Sequence, residues 1–208
     1  SDLRRMYDRT KTSPGLGVVI SVNPYIASYL EKHPGTDLFT RVRVSRVATC
    51  CHNVVGKIDN KAPYTIIIGA HYDHLGISRR HRVFNGADDN ASGTAVMVEL
   101  ARYLRQSGDK GYNYLFVAFS GEEEGLYGSD YFAGHLPVAP GTVDCMVNLD
   151  MVGRLGCEGN RITAFGTGTS PMWRTLYKET PHPGFRVCRF RGVHAFTDHL
   201  AFYRQGIP

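Results

Sequence analysis

The run Tyr64-Thr65-Ile66-Ile67-Ile68-Gly69-Ala70 passes directly into His71-Tyr72-Asp73-His74-Leu75-Gly76. An apolar, β-branched run of this length reads as a strand buried on both faces. Its carboxyl end then delivers polar groups to the edge where ligands bind in open α/β sheets. An imidazole and a carboxylate two residues apart cannot both sit in an apolar core without partners, because burying them unpaired is costly. Taken alone, the pattern also describes a satisfied core histidine beside a solvated aspartate. What the two side chains face must come from the rest of the chain.

The segment before this strand is polar at residues 1–20, with Ser13-Pro14-Gly15, and reads as a connector. Asn23-Pro24 opens a helix from Tyr25 to Lys32, stopped by Pro34-Gly35. Alternation over Arg41–Ala48 predicts a half-exposed strand, and Asn53–Ile58 a second one. With Tyr64–Ala70 these make three strands in succession, an antiparallel start to a mixed sheet. After Phe84-Asn85-Gly86-Ala87-Asp88-Asp89-Asn90-Ala91-Ser92-Gly93 a long helix runs to about Gln106, with Asp89 and Asn90 as N-cap candidates. Tyr112–Phe119 is a buried strand ending in Ser120-Gly121-Glu122-Glu123-Glu124-Gly125, followed by a short helix over Leu126–Phe132. Cys145–Leu149 is a strand ending in Asp150. Further strands at Arg161–Phe165 and Phe185–Arg189 flank a helix at Ser170–Lys178, and Thr197-Asp198-His199 opens a last short helix.

Strands alternating with helices predict a three-layer αβα sandwich on a mixed, largely parallel central sheet. A chain of 208 residues suits a single domain, here expected over 1–208. The final Gly206-Ile207-Pro208 reads as the approach to one more strand, so the domain is expected to lack its C-terminal strand and to be truncated.

No apolar run approaches the roughly 18 residues of a membrane span, and no signal peptide opens the chain. The net charge of +5 is spread out, and the densest basic cluster, Arg79-Arg80-His81-Arg82, reads as a solvated loop. Nucleic-acid binding asks for more such clusters with interleaved aromatics. The five cysteines include no CxxC pair, so a thiolate zinc site is not indicated. Gly166-Thr167-Gly168-Thr169 lacks the lysine and spacing of a P-loop and reads as a strand-to-helix turn.

Polar residues repeatedly follow the apolar strands: His71 and Asp73, Glu122 and Glu123, then Asp150. Asp88 and His199 occupy Gly-flanked or helix-entry positions. Carboxylates gathered at one edge repel and raise one another's pKa unless a cation lies among them. Imidazole and carboxylate ligands together suit zinc, with manganese or cobalt as alternatives. Glu122 and Glu123 are adjacent, so from an extended strand end they point in different directions.

His71-Tyr72-Asp73, Gly86–Gly93, Ser120-Gly121-Glu122-Glu123, Asn148-Leu149-Asp150-Met151 and Thr197-Asp198-His199 occur in order. From about residue 53 to 208 the chain thereby resembles the co-catalytic di-zinc aminopeptidases of the aminopeptidase Y and bacterial leucyl aminopeptidase type, metallopeptidase clan MH. The resemblance implies two zinc ions about 3.5 Å apart, sharing a bridging hydroxide or water. His71 and Asp150 would bind one ion, Glu123 and His199 the other, and Asp88 would bridge them. Asp73 would accept the second ring N–H of His71 and fix its tautomer. A cis peptide would join Asp88 to Asp89. Glu122 would be the general base, taking a proton and passing it to the leaving amine. His52, His74, His81, His135 and His194 are not expected as ligands, although His74 and His194 fall near the cleft. Arg154 either meets substrate or neutralises the acidic edge.

The activity so implied is removal of N-terminal residues from peptides with a free N-terminus, in an extracellular or periplasmic setting. Carboxypeptidase-like or acyl-amino-acid hydrolase chemistry on the same scaffold stays open, as does a non-catalytic binding domain. The preferred N-terminal residue and the oligomeric state are not legible.

Overall fold

The computed structural model describes residues 22–39, 49–78, 81–157, 159–180 and 184–208. Contacts divide the chain into residues 1–50 and 51–208. In the first part, helix α1 (Pro24–Lys32) begins at Asn23, whose side chain accepts a hydrogen bond from Ile26 N at 2.9 Å. The expected strand at 41–48, the connector at 1–20 and Arg79–Arg80 lie outside the described residues.

The second part is built on four strands: β1 (Val54–Ile58), β2 (Thr65–His71), β3 (Asn113–Phe119) and β4 (Val143–Asn148). They are ordered β1-β3-β2-β4. Strand β2 pairs parallel with both β3 and β4, while β1 pairs antiparallel with β3. The sheet is therefore mixed and mostly parallel. The expected antiparallel succession into β2 is not what forms, because β1 takes the outer edge of β3 and leaves β2 central. A continuous apolar strand such as β2 is stabilised most where both faces and both edges are covered.

Alternate residues of the sheet feed two cores. Ile67, Leu115, Val117 and Phe119 pack on one side with Phe132 of α3 (Tyr127–Gly134) and Phe202 of α5 (His199–Arg204). Ile68, Ala70, Tyr114 and Phe116 pack on the other side with Met97 of α2 (Gly93–Ser107). Helices on both faces of one sheet make the expected three-layer sandwich. Strands β5 (Arg161–Ala164) and β6 (Arg186–Arg189) do not join it. They form a separate two-stranded parallel sheet, linked through α4 (Pro171–Glu179). Pro208 O accepts from Met146 N of β4 at 2.8 Å.

The register fixes where the three parallel strands release the chain. His71 is opposite Phe119, and Gly69 is opposite Asn148. Beyond the ladder, Tyr72 N bonds Phe119 O at 2.9 Å and Leu149 N bonds Gly69 O at 2.8 Å. The segments after β2, β3 and β4 thus leave the same end of the sheet.

Phe202 is fully buried against Phe119 and Phe132, with ring centroids 5.8 and 6.3 Å away. Phe202→Ala is expected to cost about 3–5 kcal/mol by leaving a cavity beneath that end. The shift of the urea midpoint at unchanged slope measures it.

Candidate metal centre

His71 closes β2 with its side chain 1% exposed. Its Nδ1 meets the backbone carbonyl of Asp73 at 3.1 Å. Its Nε2 faces Asp89 Oδ1 at 3.2 Å and Asp150 Oδ1 at 3.5 Å. A ring anchored at one nitrogen and presenting the other to two carboxylates is oriented as a metal-binding histidine is. The Asp73 carboxylate lies 3.7 Å from Nδ1 and does a second job. It accepts Glu122 N and Glu123 N, each at 3.2 Å, tying the turn after β3 to the turn after β2.

Two groups of side chains lie close enough to hold an ion: His71, Asp89 and Asp150, and His74, Asp89 and Glu123. Asp89 belongs to both. Asp88, expected to bridge two ions, belongs to neither group. Asp88 turns the other way. Its Oδ1 accepts Gly153 N at 2.8 Å, and its Oδ2 pairs with Arg154 Nε at 3.2 Å. That pair also gives Arg154 its place, neutralising Asp88 at the exit from β4. The cis peptide, the one found among the described residues, joins Asp89 to Asn90 rather than Asp88 to Asp89.

Asn90 holds this arrangement from beneath. It is 2% exposed. Its Nδ2 donates to Leu149 O at 2.9 Å, and its Oδ1 accepts Gly93 N at 3.0 Å and Met151 N at 3.2 Å. One side chain thus clamps the start of α2 to the exit from β4, which sets Asp89 beside Asp150. The approach requires a glycine at position 93, where a Cβ would stand 2.2 Å from Leu149 O.

The second group departs from expectation at its histidine. His199 belongs to neither group. As first residue of α5, its Nε2 accepts His194 N at 3.1 Å, and its Nδ1 is bonded to Thr197 Oγ1. Both ring nitrogens are thereby engaged within its own segment. Burial, with His194 adding to it, lowers its pKa to about 4 despite Asp150 nearby. His74 stands beside Glu123 instead, its Nδ1 3.1 Å from Oε1, and with Asp89 these two complete the second group.

The electrostatics describe a site short of positive charge. Burial opposes charge on His71, yet the carboxylates of Asp150 and Asp73 raise its pKa to about 11. Burial pushes Glu122 up to about 8; His71 opposes this, while Asp198, Asp150 and Glu123 add to it. Asp198, fully buried, is pushed up to about 7 by the same loss of solvent, with Asp150 and Asp73 adding to it. Burial opposes the Asp73 charge too, but the His71 ring and the Glu122 and Glu123 amides hold its carboxyl below the ordinary value. Crowded acids beside two imidazoles form a donor set that fits zinc.

The pattern of Peptidase family M28 matches residues 53–208. Aminopeptidase YwaD of Bacillus subtilis is 41% identical over 151 residues, covering 71% of this chain and 31% of that protein. The LapA aminopeptidase of Legionella pneumophila superposes with a TM-score of 0.62 at 29% identity, over 75% of this chain and 42% of that one. A glutaminyl cyclase from Porphyromonas gingivalis shares the fold, with a TM-score of 0.61 at 24% identity over 76% of this chain and 61% of that one. The chain spans 20% to 46% of the length of the curated relatives it matches.

Asp89→Ala is expected to weaken zinc binding at least about tenfold, and Asp88→Asn much less. Equilibrium dialysis against a zinc buffer measures both. In the metal-free protein, Glu122, Asp198 and His71 keep their protons at pH values where the unfolded chain has lost them. Their stabilisation is full below the ordinary carboxyl range and is lost as pH rises through the raised values. The thermal midpoint of metal-free protein should therefore fall from about pH 5 to about pH 11, and added zinc should flatten that fall.

Proposed function

The chain belongs to peptidase family M28, and on that premise we propose that it is the catalytic part of a zinc aminopeptidase removing N-terminal residues from peptides. The observation that carries the reading is the placement of Asp89 within reach of both His71 with Asp150 and His74 with Glu123. Two ions in that arrangement would share Asp89, with His71 and Asp150 on one side and Glu123 on the other. Bound zinc would supply Lewis acidity toward the scissile carbonyl and make a neighbouring water acidic near neutral pH.

The remaining work falls to the chain. Glu122 is held by its backbone amide to Asp73 while its side chain is partly buried among His71, Asp150 and Asp198. With zinc in place of the proton that Glu122 keeps in the metal-free protein, its carboxylate would accept a proton from the attacking water and return it to the leaving amine. Asp73 orients two participants at once, steering His71 through the first turn and Glu122 through the second. Asp88 and Arg154 support the exit of β4 and so the position of Asp150.

Zinc-loaded full-length protein should hydrolyse aminoacyl p-nitroanilides and leave their N-acetyl forms intact. Glu122→Gln should retain two zinc ions per chain by emission spectrometry and lose about 10²–10⁴-fold in kcat. Unchanged kcat in that variant would remove Glu122 from the chemistry. Cleavage of acetylated substrates at equal rate would remove the aminopeptidase reading.

A further inference from the structure

The turn that carries Glu122 and Glu123 leaves β3 at Ser120 and enters α3 at Tyr127. It bonds to itself through Gly125 N and Leu126 N, which donate to Glu122 O at 2.9 and 3.1 Å, and through Tyr127 N, which donates to Gly121 O at 3.1 Å. Gly121 and Gly125 sit at positive φ, and so does Leu126, at 65°. A leucine held in that region persists only where its surroundings fix it. The Asp73 carboxylate fixes the tip of the turn by accepting the two glutamate amides. The neck is fixed from another part of the chain.

Asn53 closes that neck. Val54, the first residue of β1, is paired with Ala118, so Asn53 stands one step further on, beside the exit of β3. Its Oδ1 accepts Ser120 N at 3.1 Å, and its Nδ2 donates to Gly128 O at 2.9 Å. One amide thus spans the two ends of the turn, using its acceptor on one and its donor on the other. Those ends approach closely. Gly128 is buried, and a Cβ there would stand 2.3 Å from Ser120 O and 2.4 Å from Asn53 Oδ1. Asn53 belongs to neither cation-sized group, so its part is to place the turn rather than to ligate.

Resting on the aminopeptidase reading above, we propose that Asn53 is a positioning residue for Glu122, closing the neck of its turn so that the carboxylate is held where the attacking water gives up its proton. Asp73 pins the tip, and a turn pinned at one point still pivots about it. A reacting group displaced by about 1 Å loses about a hundredfold in rate, so a side chain outside the site governs turnover through the turn it holds. Support of the fold alone is a different role, since β1 pairs with β3 from Val54 to Ile58 through its backbone. A residue that only supports the fold lowers the amount of folded protein. One that positions Glu122 lowers the kcat of folded, zinc-loaded protein and leaves KM near its value.

The test reads the turn in metal-free protein and turnover in zinc-loaded protein, both full length. In Asn53→Ala, amide hydrogen exchange at Glu122 and Glu123 should quicken at least about tenfold. At Leu149, whose amide is bonded to Gly69 O at the neighbouring strand exit, it should change by less than about twofold. At saturating zinc, kcat on aminoacyl p-nitroanilides should fall at least about tenfold, with KM within about threefold of wild type. Asn53→Asp keeps an acceptor for Ser120 N and loses the donor to Gly128 O, so it should lie between wild type and Asn53→Ala on both measures. Should Asn53→Ala fail to fold by circular dichroism, Asn53→Asp decides, with changes above about threefold expected. Exchange unchanged at the two glutamates, exchange raised equally at Leu149, or kcat within about twofold of wild type overturns the proposal. A wild-type protein without amide hydrolysis, whose variant still exchanges faster at Glu122 and Glu123, would instead overturn the aminopeptidase reading and leave the positioning role standing.

Discussion

The site depends first on the parallel register of β2 between β3 and β4. Because His71 is level with Phe119, and Gly69 with Asn148, three chain segments leave the sheet together. A shift of one residue would exchange the residues that face the two cores and carry His71 to the opposite face. The apolar content of β2 and β3 guards against that shift, since Ile67, Val117 and Phe119 on one side and Ile68 and Ala70 on the other fill different cores. Packing within the sandwich is thus the force that aligns polar residues at its edge.

Above that alignment, three side chains convert proximity into geometry. Asn90 joins the α2 start to the β4 exit, Asp73 joins the β2 and β3 exits, and Asp88 draws in the segment after Asp150 through Gly153 and Arg154. None of the three belongs to a cation-sized group, yet each is what keeps a member of such a group in place. The cost of assembling several acids is met partly by a proton retained on Glu122 and by the His71 imidazolium, both of which a divalent ion would replace.

The architecture was legible in the sequence because it follows from period and composition. An uninterrupted apolar strand ending in His71, and another ending before Glu122, implied a buried parallel sheet and the end at which to look. What escaped was finer than a residue. Asp88 and Asp89 are chemically identical neighbours, and only the backbone path through Asp89 and Asn90 decides which carboxylate turns inward. His74 and His199 were separated by a comparable subtlety, since a ring's availability depends on which local groups engage its nitrogens. Thr197 and the His194 amide engage His199, and no spacing rule reveals that. The pairing of β1 with β3 was equally hidden, because connection length does not tell a strand which edge to join.

Asp73 has a consequence beyond orientation. By receiving the amides of Glu122 and Glu123 while standing next to His71, it makes the exits of β2 and β3 one rigid piece. Phe165, Trp173 and Tyr177, which wall the space beside Asp150, are carried by a different piece, the β5–α4–β6 unit, whose strands pair with each other and not with the main sheet. The candidate metal centre and the wall beside it are thereby built on separate pieces of one fold. Substitutions at Phe165, Trp173 or Tyr177 can therefore reshape that wall while the hydrogen bonds that join the two turns stay as they are.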